Sequence, residues 1–141
     1  MNKVAVVYWS GTGNTEMMAN AVGKGAKDSG AEVELFKAAE FNGDMVDDFN
    51  AIAFGCPAMG AEELEENEFE PMFESCEPKL GGKTVGLFGS YGWGGGIWME
   101  RWINNCRGLS ARLAADSVIS CGAPDGEVLD QCRILGRALA Q

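Results

Sequence analysis

Two short runs of consecutive apolar residues are the strongest structural signal in the chain. Residues 4–8 (Val-Ala-Val-Val-Tyr) and 51–56 (Ala-Ile-Ala-Phe-Gly-Cys) carry no charge and do not alternate with polar residues. Such runs are typical of strands that are buried on both faces of a parallel sheet. Pro57 ends the second run, because proline cannot donate to a strand ladder.

Weaker patterns predict the remaining strands. Residues 31–36 alternate between apolar and polar positions, which predicts a strand at a sheet edge with one face partly in water. Residues 83–89 predict a fourth strand, and residues 118–121 a last one with Leu113 near its start. Segments rich in glycine, serine or acidic residues separate these strands.

Apolar residues at helical spacing predict helices between the strands. The first helix has Met18, Val22 and Ala26 on one face and ends at Ser29-Gly30, with Gly23 and Gly25 expected to weaken it by roughly 1 kcal/mol each. Residues 38–48 predict a short helix or an irregular crossover, and residues 58–78 a loop and an acidic helix. Two later helices carry the core stripes Trp98, Trp102, Cys106 and Val128, Leu129, Cys132, Leu135, Leu139.

Strands that alternate with helices predict the fold class α/β. We expect a doubly wound, five-stranded parallel sheet of order 2-1-3-4-5 with helices on both faces, formed by residues 1–141 as a single domain. In such sheets ligands bind beyond the carboxyl ends of the strands, where the strand order reverses. The loops at residues 10–15, 58–62 and 90–96 should therefore converge on one site.

The first of these loops has the composition of a phosphate site. Residues 10–15 (Ser-Gly-Thr-Gly-Asn-Thr) offer hydroxyls, an amide and two glycines, directly before a helix whose first N–H groups would face the same point. The loop has no Lys or Arg, so it is not a nucleotide-triphosphate loop. The alternative is a plain strand-to-helix turn with a good cap.

The other two loops favour a flat apolar ring as the ligand. Met59 and Gly60 lie in one loop and Trp93 stands between glycines in the other, so Trp93 is expected to be exposed or to cover a ligand rather than to pack in the core. Trp9 could flank the site or simply pack. The chain has no His and no evident metal-ligand set, so acid–base, nucleophilic and metal chemistry are not expected.

Composition restricts the partners. The formal net charge of -10 disfavours nucleic acid and anionic membranes and favours a basic protein surface. No apolar run is long enough to cross a bilayer, and the chain begins directly with a strand, so we expect a cytoplasmic protein.

The five cysteines form no Cys-x-x-Cys pair and are expected to be reduced and mostly buried. A run of acidic residues predicts a solvated face: Glu62, Glu63, Glu65, Glu66, Glu68, Glu70, Glu74 and Glu77.

Three motifs in register carry a family resemblance over the whole chain. Residues 8–16 (Tyr-Trp-Ser-Gly-Thr-Gly-Asn-Thr-Glu), 58–63 (Ala-Met-Gly-Ala-Glu-Glu) and 87–94 (Leu-Phe-Gly-Ser-Tyr-Gly-Trp-Gly) resemble those of short-chain flavodoxins of the anaerobic bacterial type. The resemblance implies a monomeric electron-transfer protein, not an enzyme. It would hold FMN non-covalently and carry single electrons at low potential, through a neutral semiquinone, between redox proteins such as reductases and oxidoreductases with basic surfaces.

The resemblance also implies roles for individual residues. The phosphate would be held by Ser10, Thr12, Asn14 and Thr15 with the backbone of Gly11 and Gly13, and the ring would lie between Met59 and Trp93. The Gly60 carbonyl would accept from flavin N5–H, Glu62 would bond N3, and amides near Gly92 and Gly94 would meet O2. The full set of expected cofactor-binding residues is Ser10, Gly11, Thr12, Gly13, Asn14, Thr15, Pro57, Ala58, Met59, Gly60, Ala61, Glu62, Ser90, Tyr91, Gly92, Trp93 and Gly94.

Two other functions fit the same fold class. A flavin-dependent NAD(P)H or quinone reductase would need room for a second substrate, and no insertion that could supply it is visible. A phosphoacceptor signalling module would need acidic residues after the first and third strands, where this chain has Trp9-Ser10-Gly11 and Gly55-Cys56-Pro57. A third alternative is a carrier dedicated to one enzyme, which would have the same motifs as a general carrier.

Overall fold

A computed structural model describes residues 2–59, 63–92 and 95–141. Its elements follow the predicted order of strands and helices. They are β1 (Lys3–Tyr8), α1 (Asn14–Asp28), β2 (Glu32–Lys37), β3 (Ala51–Gly55), α2 (Phe69–Cys76), β4 (Thr84–Tyr91), α3 (Ile97–Gly108), β5 (Arg112–Leu113), β6 (Val118–Cys121) and α4 (Gly126–Leu139). Short 3-10 helices at Ala38–Glu40 and Gly43–Asp48 form the irregular crossover, and a third at Glu77–Lys79 follows α2.

The sheet is parallel and has the predicted order β2-β1-β3-β4-β5. β1 and β3 are buried on both faces, in agreement with their uninterrupted apolar runs. β2 is an edge strand, and its Leu35 is 41% exposed, as the alternating pattern predicted. The sequence therefore located both the centre and one edge of the sheet.

The fifth strand position is shared by two short strands. β5 pairs with the start of β4 through Thr84 and Val85, and β6 pairs with its end from Phe88 to Tyr91. The expectation of one strand with Leu113 near its start is thus refined into two strands separated by residues 114–117. The second of them, β6, brings the chain to the carboxyl edge of the sheet.

Helices cover both faces. Val4 and Val6 of β1 face α1 and α4, whereas Ala5 and Val7 face the side that α2 and α3 cover. The stripe of Trp98, Trp102 and Cys106 is buried there, which confirms its core assignment.

Two glycines explain how closely α1 and α4 approach each other. A Cβ on Gly25 would overlap the Arg133 carbonyl, and one on Gly136 would overlap the Val22 carbonyl. Gly25 therefore permits backbone contact between the helices, a role that its low helix propensity does not reveal.

Candidate functional site

The loop after β1 is shaped by Gly13. This residue stands before α1 with φ of 97°, a left-handed conformation that favours glycine, and its N–H donates to Ser10 Oγ at 3.0 Å. The first-turn N–H groups of any α-helix have no partner within the helix. Gly13 has no side chain with which to cap those of α1, so they remain suited to an anion.

Thr15 and Ser90 join this loop to β4. Their hydroxyl oxygens lie 3.0 Å apart, and the two residues are only 1% and 5% exposed. Thr15 therefore lies beneath the loop rather than on its surface. The pair places two hydroxyls at the carboxyl end of the sheet, where the doubly wound fold binds ligands.

The loop after β3 is held by backbone hydrogen bonds on two sides. Ala58 N donates to Ser90 O at 2.9 Å, and Met59 and Glu63 exchange two hydrogen bonds of 2.8 and 2.9 Å. We call the stretch of chain between these two paired residues the 59–63 segment. The predicted contacts of Gly60, Ala61 and Glu62 fall within it and lie outside the described residues.

A loop that the sequence analysis did not select completes the site. Gly122, with φ of 77°, donates its N–H to Tyr91 O at 2.8 Å, and Ser120 Oγ donates to Gly122 O at 3.1 Å. The signal was present, because a glycine directly after the last strand of a parallel sheet lies at its carboxyl edge. Trp93 and Gly94, predicted from the neighbouring loop, lie outside the described residues.

These loops enclose a cavity of about 280 Å³, which we call the loop cavity. The structure brings together in its lining many of the residues selected from the sequence, and adds Trp9 and Gly122. The described lining residues are Trp9, Gly11, Thr12, Asn14, Pro57, Ala58, Met59, Ser90, Tyr91, Gly92 and Gly122. Ser10 and Gly13 face the other side of the loop.

A second cavity of about 540 Å³ lies on that other side, between the ends of β1 and β2. We call it the β2-side cavity. Its lining includes the carboxylates of Glu16, Glu40 and Glu68. Lys37 is the one cation among its described lining residues. Although this cavity is larger, three carboxylates against one ammonium group leave it with a negative charge, which disfavours a phosphate there.

Trp9 separates the two cavities. Its side chain lines both of them, is partly buried, and donates from Nε1 to Glu68 Oε1 at 3.0 Å. Gly11 allows the approach, since a Cβ there would come within 3.1 Å of the Trp9 ring. The structure thus decides the question left open by the sequence: Trp9 flanks the site and also packs partly against the core.

The loop cavity fits the chemistry of FMN. Among the described residues that line it, none carries a carboxylate, and the side of α1 offers neutral donors and first-turn amides. The opposite wall is apolar, with Pro57, Ala58 and Met59. The α1 side therefore suits the phosphate of FMN, and the apolar wall suits its flat ring.

The acidic run that follows the 59–63 segment is not uniformly solvated. Glu65 is only 5% exposed, which corrects the expectation that it belongs to a solvated face. Its carboxylate accepts hydrogen bonds from the backbone N–H groups of Asn67, Glu68 and Phe69 at 2.9, 2.7 and 2.9 Å. Burial raises the pKa of Glu65, but these three bonds outweigh burial and hold the pKa below its usual value.

Cys56 anchors the other end of the same loop. Burial raises the pKa of its thiol to about 12, so the group is neutral at physiological pH. Its Sγ accepts from Glu65 N at 3.3 Å, and its carbonyl accepts from Trp98 Nε1 at 3.3 Å. Four of the five cysteines are buried, as expected, whereas Cys121 is exposed.

The described part of the chain contains neither a metal-ligand cluster nor a membrane-spanning helix. Within residues 2–59, 63–92 and 95–141, no group of three or more Cys, Asp or Glu side chains is arranged to hold a metal ion. None of the helices found over those ranges has both the length and the apolar character needed to cross a membrane.

Known proteins resemble this chain over nearly its full length. The family model described as Flavodoxin matches residues 6–133. A flavodoxin of Megasphaera elsdenii is 46% identical over 138 residues, 98% of each chain, and one of Clostridium beijerinckii is 42% identical over 135 residues, 96% of this chain and 97% of the relative. The solution structure of two-electron reduced Megasphaera elsdenii flavodoxin superimposes with a TM-score of 0.89 at 47% identity, covering 97% of this chain and 98% of that one.

Proposed function

This chain belongs to the flavodoxin family of FMN-binding electron carriers, and we propose that the loop cavity is its FMN site. FMN supplies the one-electron chemistry when bound, and the protein supplies binding, orientation and electrostatics. Family membership decides against the reductase and phosphoacceptor alternatives. The observation that carries the placement is the loop cavity itself, with neutral donors at one wall and apolar side chains at the other.

The phosphate is assigned to the loop of Ser10–Thr15. Support comes from the uncapped first turn of α1 and from Thr12 and Asn14, which line the loop cavity. A phosphate held by neutral donors and backbone amides keeps its charge, and each bond to it is charge-assisted. The carboxylates of the β2-side cavity disfavour the alternative placement.

The ring is assigned to the opposite wall. Met59 and Trp93 would cover its two faces, the Gly60 carbonyl and Glu62 would meet its polar edge, and amides near Gly92 and Gly94 would meet O2. Support for Met59 comes from its place in the loop cavity. The roles of Gly60, Glu62, Trp93 and Gly94 rest on the sequence motifs. The other assigned residues, which would shape the pocket, are Pro57, Ala58, Ala61, Ser90 and Tyr91.

Flavin titrations test this placement. Apoprotein titrated with FMN should bind one FMN per chain. Riboflavin should bind more weakly because it has no phosphate. FAD should also bind more weakly, because the loop that surrounds the phosphate would leave no room for its adenylate. Thr12→Ala should weaken FMN about tenfold or more, the worth of a charge-assisted bond, and barely affect riboflavin. Ser29→Ala, at the far end of α1, is the matched control.

Two outcomes would contradict different parts of the proposal. Equal affinity for FMN and riboflavin would contradict the assignment of the phosphate to the loop of Ser10–Thr15. Loss of riboflavin binding in Thr12→Ala as severe as loss of FMN binding would mean that Thr12 shapes the pocket without meeting the phosphate.

The redox partners are proposed to present basic surfaces. Support comes from the formal net charge of -10, which steers a positively charged protein towards this one. Stopped-flow electron transfer to a basic acceptor should slow as salt rises, because ions screen this attraction. A rate that stays constant or increases with salt would contradict basic partners.

The molecular setting of the carrier is also proposed. The chain would act as a monomer in the cytoplasm, with residues 1–141 forming a single FMN-binding domain. The single domain is supported by the match of the family model to residues 6–133 and by relatives that share nearly the whole length. Sedimentation equilibrium of the FMN-loaded protein tests the monomer, and a dimer at micromolar concentration would contradict it.

A further inference from the structure

The Trp9 indole stands between the loop cavity and the β2-side cavity, and Glu68 holds its polar edge. Nε1 of Trp9 donates to Glu68 Oε1 at 3.0 Å. Glu68 itself lines the β2-side cavity and is not among the described lining residues of the loop cavity. We propose that Glu68 is a positioning residue: its side chain fixes the Trp9 indole as the wall between the two cavities and thereby strengthens FMN binding. This inference rests on the proposed placement of FMN in the loop cavity.

The backbone and one side of Trp9 are fixed without help from Glu68. The Trp9 N–H donates to Gly55 O at 3.0 Å, so this residue continues the pairing of β1 with β3. The indole ring lies against Gly11, where an added Cβ would come within 3.1 Å of it. The remaining freedom of the indole is rotation about its side-chain bonds, which the hydrogen bond from Nε1 to Glu68 restricts.

The backbone of Glu68 is anchored as well. Glu68 is the residue directly before α2, and its N–H donates to the buried carboxylate of Glu65 at 2.7 Å. Its carbonyl accepts from Met72 N at 3.4 Å in the first turn of the helix. Met72 belongs to the hydrophobic core, so the polar edge of the indole is connected through Glu68 to a helix that is packed in place.

The Glu68 side chain should affect FMN binding in two ways that have opposite signs. Its negative charge repels the phosphate, so removal of the charge alone should leave FMN binding unchanged or slightly stronger. Its hydrogen bond keeps the indole in the orientation that forms the cavity wall, so removal of the bond should weaken binding. A site whose binding-competent conformation is only partly populated loses affinity in proportion to that fraction. One exposed hydrogen bond to a carboxylate is enough to change this population about fivefold.

The test compares FMN-loaded Glu68→Gln and Glu68→Ala. Both variants remove the same charge, but Gln keeps a side-chain oxygen that can accept from Trp9 Nε1, whereas Ala has no acceptor. The ratio of their FMN dissociation constants therefore separates the hydrogen bond from the charge. The same two variants are also made in Trp9→Phe, which keeps an aromatic ring and removes the indole N–H. The dissociation constants are measured from the fluorescence of FMN released when the loaded proteins are diluted.

A second readout reports on the indole itself. The Trp9 Nε1–H resonance, identified in NMR spectra by its loss in Trp9→Phe, should exchange with solvent faster in Glu68→Ala than in Glu68→Gln. The indole N–H of the buried Trp98 donates to the Cys56 carbonyl at 3.3 Å, so its exchange should be the same in both variants. This internal reference distinguishes loss of the one hydrogen bond from general loosening of the fold.

Glu68→Gln should bind FMN as tightly as the parent or slightly more tightly, and Glu68→Ala about fivefold more weakly than Glu68→Gln. In Trp9→Phe the two Glu68 variants should bind FMN equally, because the indole N–H that Glu68 holds is gone. Glu66→Gln and Glu66→Ala are the matched control at an exposed carboxylate two positions earlier, and they should also bind FMN equally.

Two results would overturn the inference. If Glu68→Gln and Glu68→Ala bind FMN equally when Trp9 is present, the Glu68 side chain contributes only its charge. If Glu68→Ala is weaker than Glu68→Gln by the same factor with Trp9 and with Phe at that position, Glu68 does not act through the indole. Failure of the parent protein to bind FMN would instead contradict the proposed function, so the two failures are distinguishable.

Discussion

The hydroxyl oxygens of Thr15 and Ser90 lie 3.0 Å apart inside the protein, although 75 positions separate them in the chain. This contact joins the first turn of α1 to the end of β4, and so ties the loop assigned to the phosphate to a strand whose following loop is assigned to the ring. Each hydroxyl satisfies the other in a region that excludes water.

Removing one member of this pair should cost stability. Thr15→Val is expected to lower the free energy of unfolding of the apoprotein by about 1–3 kcal/mol, because the Ser90 hydroxyl stays buried without its partner. Thr15→Val/Ser90→Ala should lose less than the sum of the two single variants. Urea denaturation of all three checks this, and strictly additive losses would mean that the two hydroxyls do not stabilise each other.

Gly89→Ala should be among the most damaging small substitutions near the site. A Cβ on Gly89 would overlap the Cys56 carbonyl oxygen and lie 3.2 Å from the Trp98 ring, so β3 and β4 would have to separate there. The expected loss is about 1–3 kcal/mol. Gly108→Ala, where no atom lies within 4 Å of the added carbon, is the control and should leave the urea midpoint unchanged or slightly higher.

Glu65 and Glu70 should influence acid stability with opposite signs. The pKa of Glu65 is lowered in the folded state, so its contribution is present above the unfolded-state pKa of about 4.3 and lost as pH falls through the folded-state pKa. The pKa of Glu70 is raised by burial and by the neighbouring carboxylates, so its ionised form destabilises the fold at neutral pH and this effect disappears on acidification.

Two variants separate these contributions. Glu65→Gln should lower the stability of the protein at neutral pH, and its stability should fall less than that of the parent as the pH is lowered. Glu70→Gln should be more stable than the parent at neutral pH and equally stable in acid. Urea midpoints measured between about pH 7 and pH 3 decide this. A parent-like profile for Glu65→Gln would mean that its carboxylate is not kept ionised by the fold.

Thiol labelling should report the burial of the cysteines. Burial raises the pKa of Cys56, Cys106 and Cys132 to about 12, and that of Cys76 to about 11, so these thiols should resist iodoacetamide in the native protein. Cys121 is exposed and should label first. Mass spectrometry should find one adduct in the parent and none in Cys121→Ser, and a second fast adduct would show that one of the buried sites opens readily.

Trp93→Ala is expected to weaken FMN binding by about 1–3 kcal/mol, the worth of a stacking aromatic. The bound flavin should also become more fluorescent, because the quenching indole has gone. Trp9→Phe keeps an aromatic ring in the other wall and should change both readouts less. If Trp9→Phe changes FMN affinity and flavin fluorescence more than Trp93→Ala does, Trp9 is the stacking residue.

Local patterns along the chain determined most of the architecture. The unbroken apolar runs of β1 and β3 required burial on both faces, and the alternation in β2 allowed an edge. The resulting strand order identified the edge of the sheet at which the glycine-rich loops meet. These features depend on side-chain periods of a few residues, which a sequence displays directly.

Only the tertiary structure decided which residues of the same type and similar sequence context are buried or closely packed. Glu65 resembles Glu66 in sequence, but only Glu65 is buried, because the chain folds three backbone N–H groups around its carboxylate. Gly25 and Gly23 both look like weak helix residues, yet only Gly25 lies against the backbone of α4. Solvation and close approach are set by neighbours far away in the chain, and no local period records them.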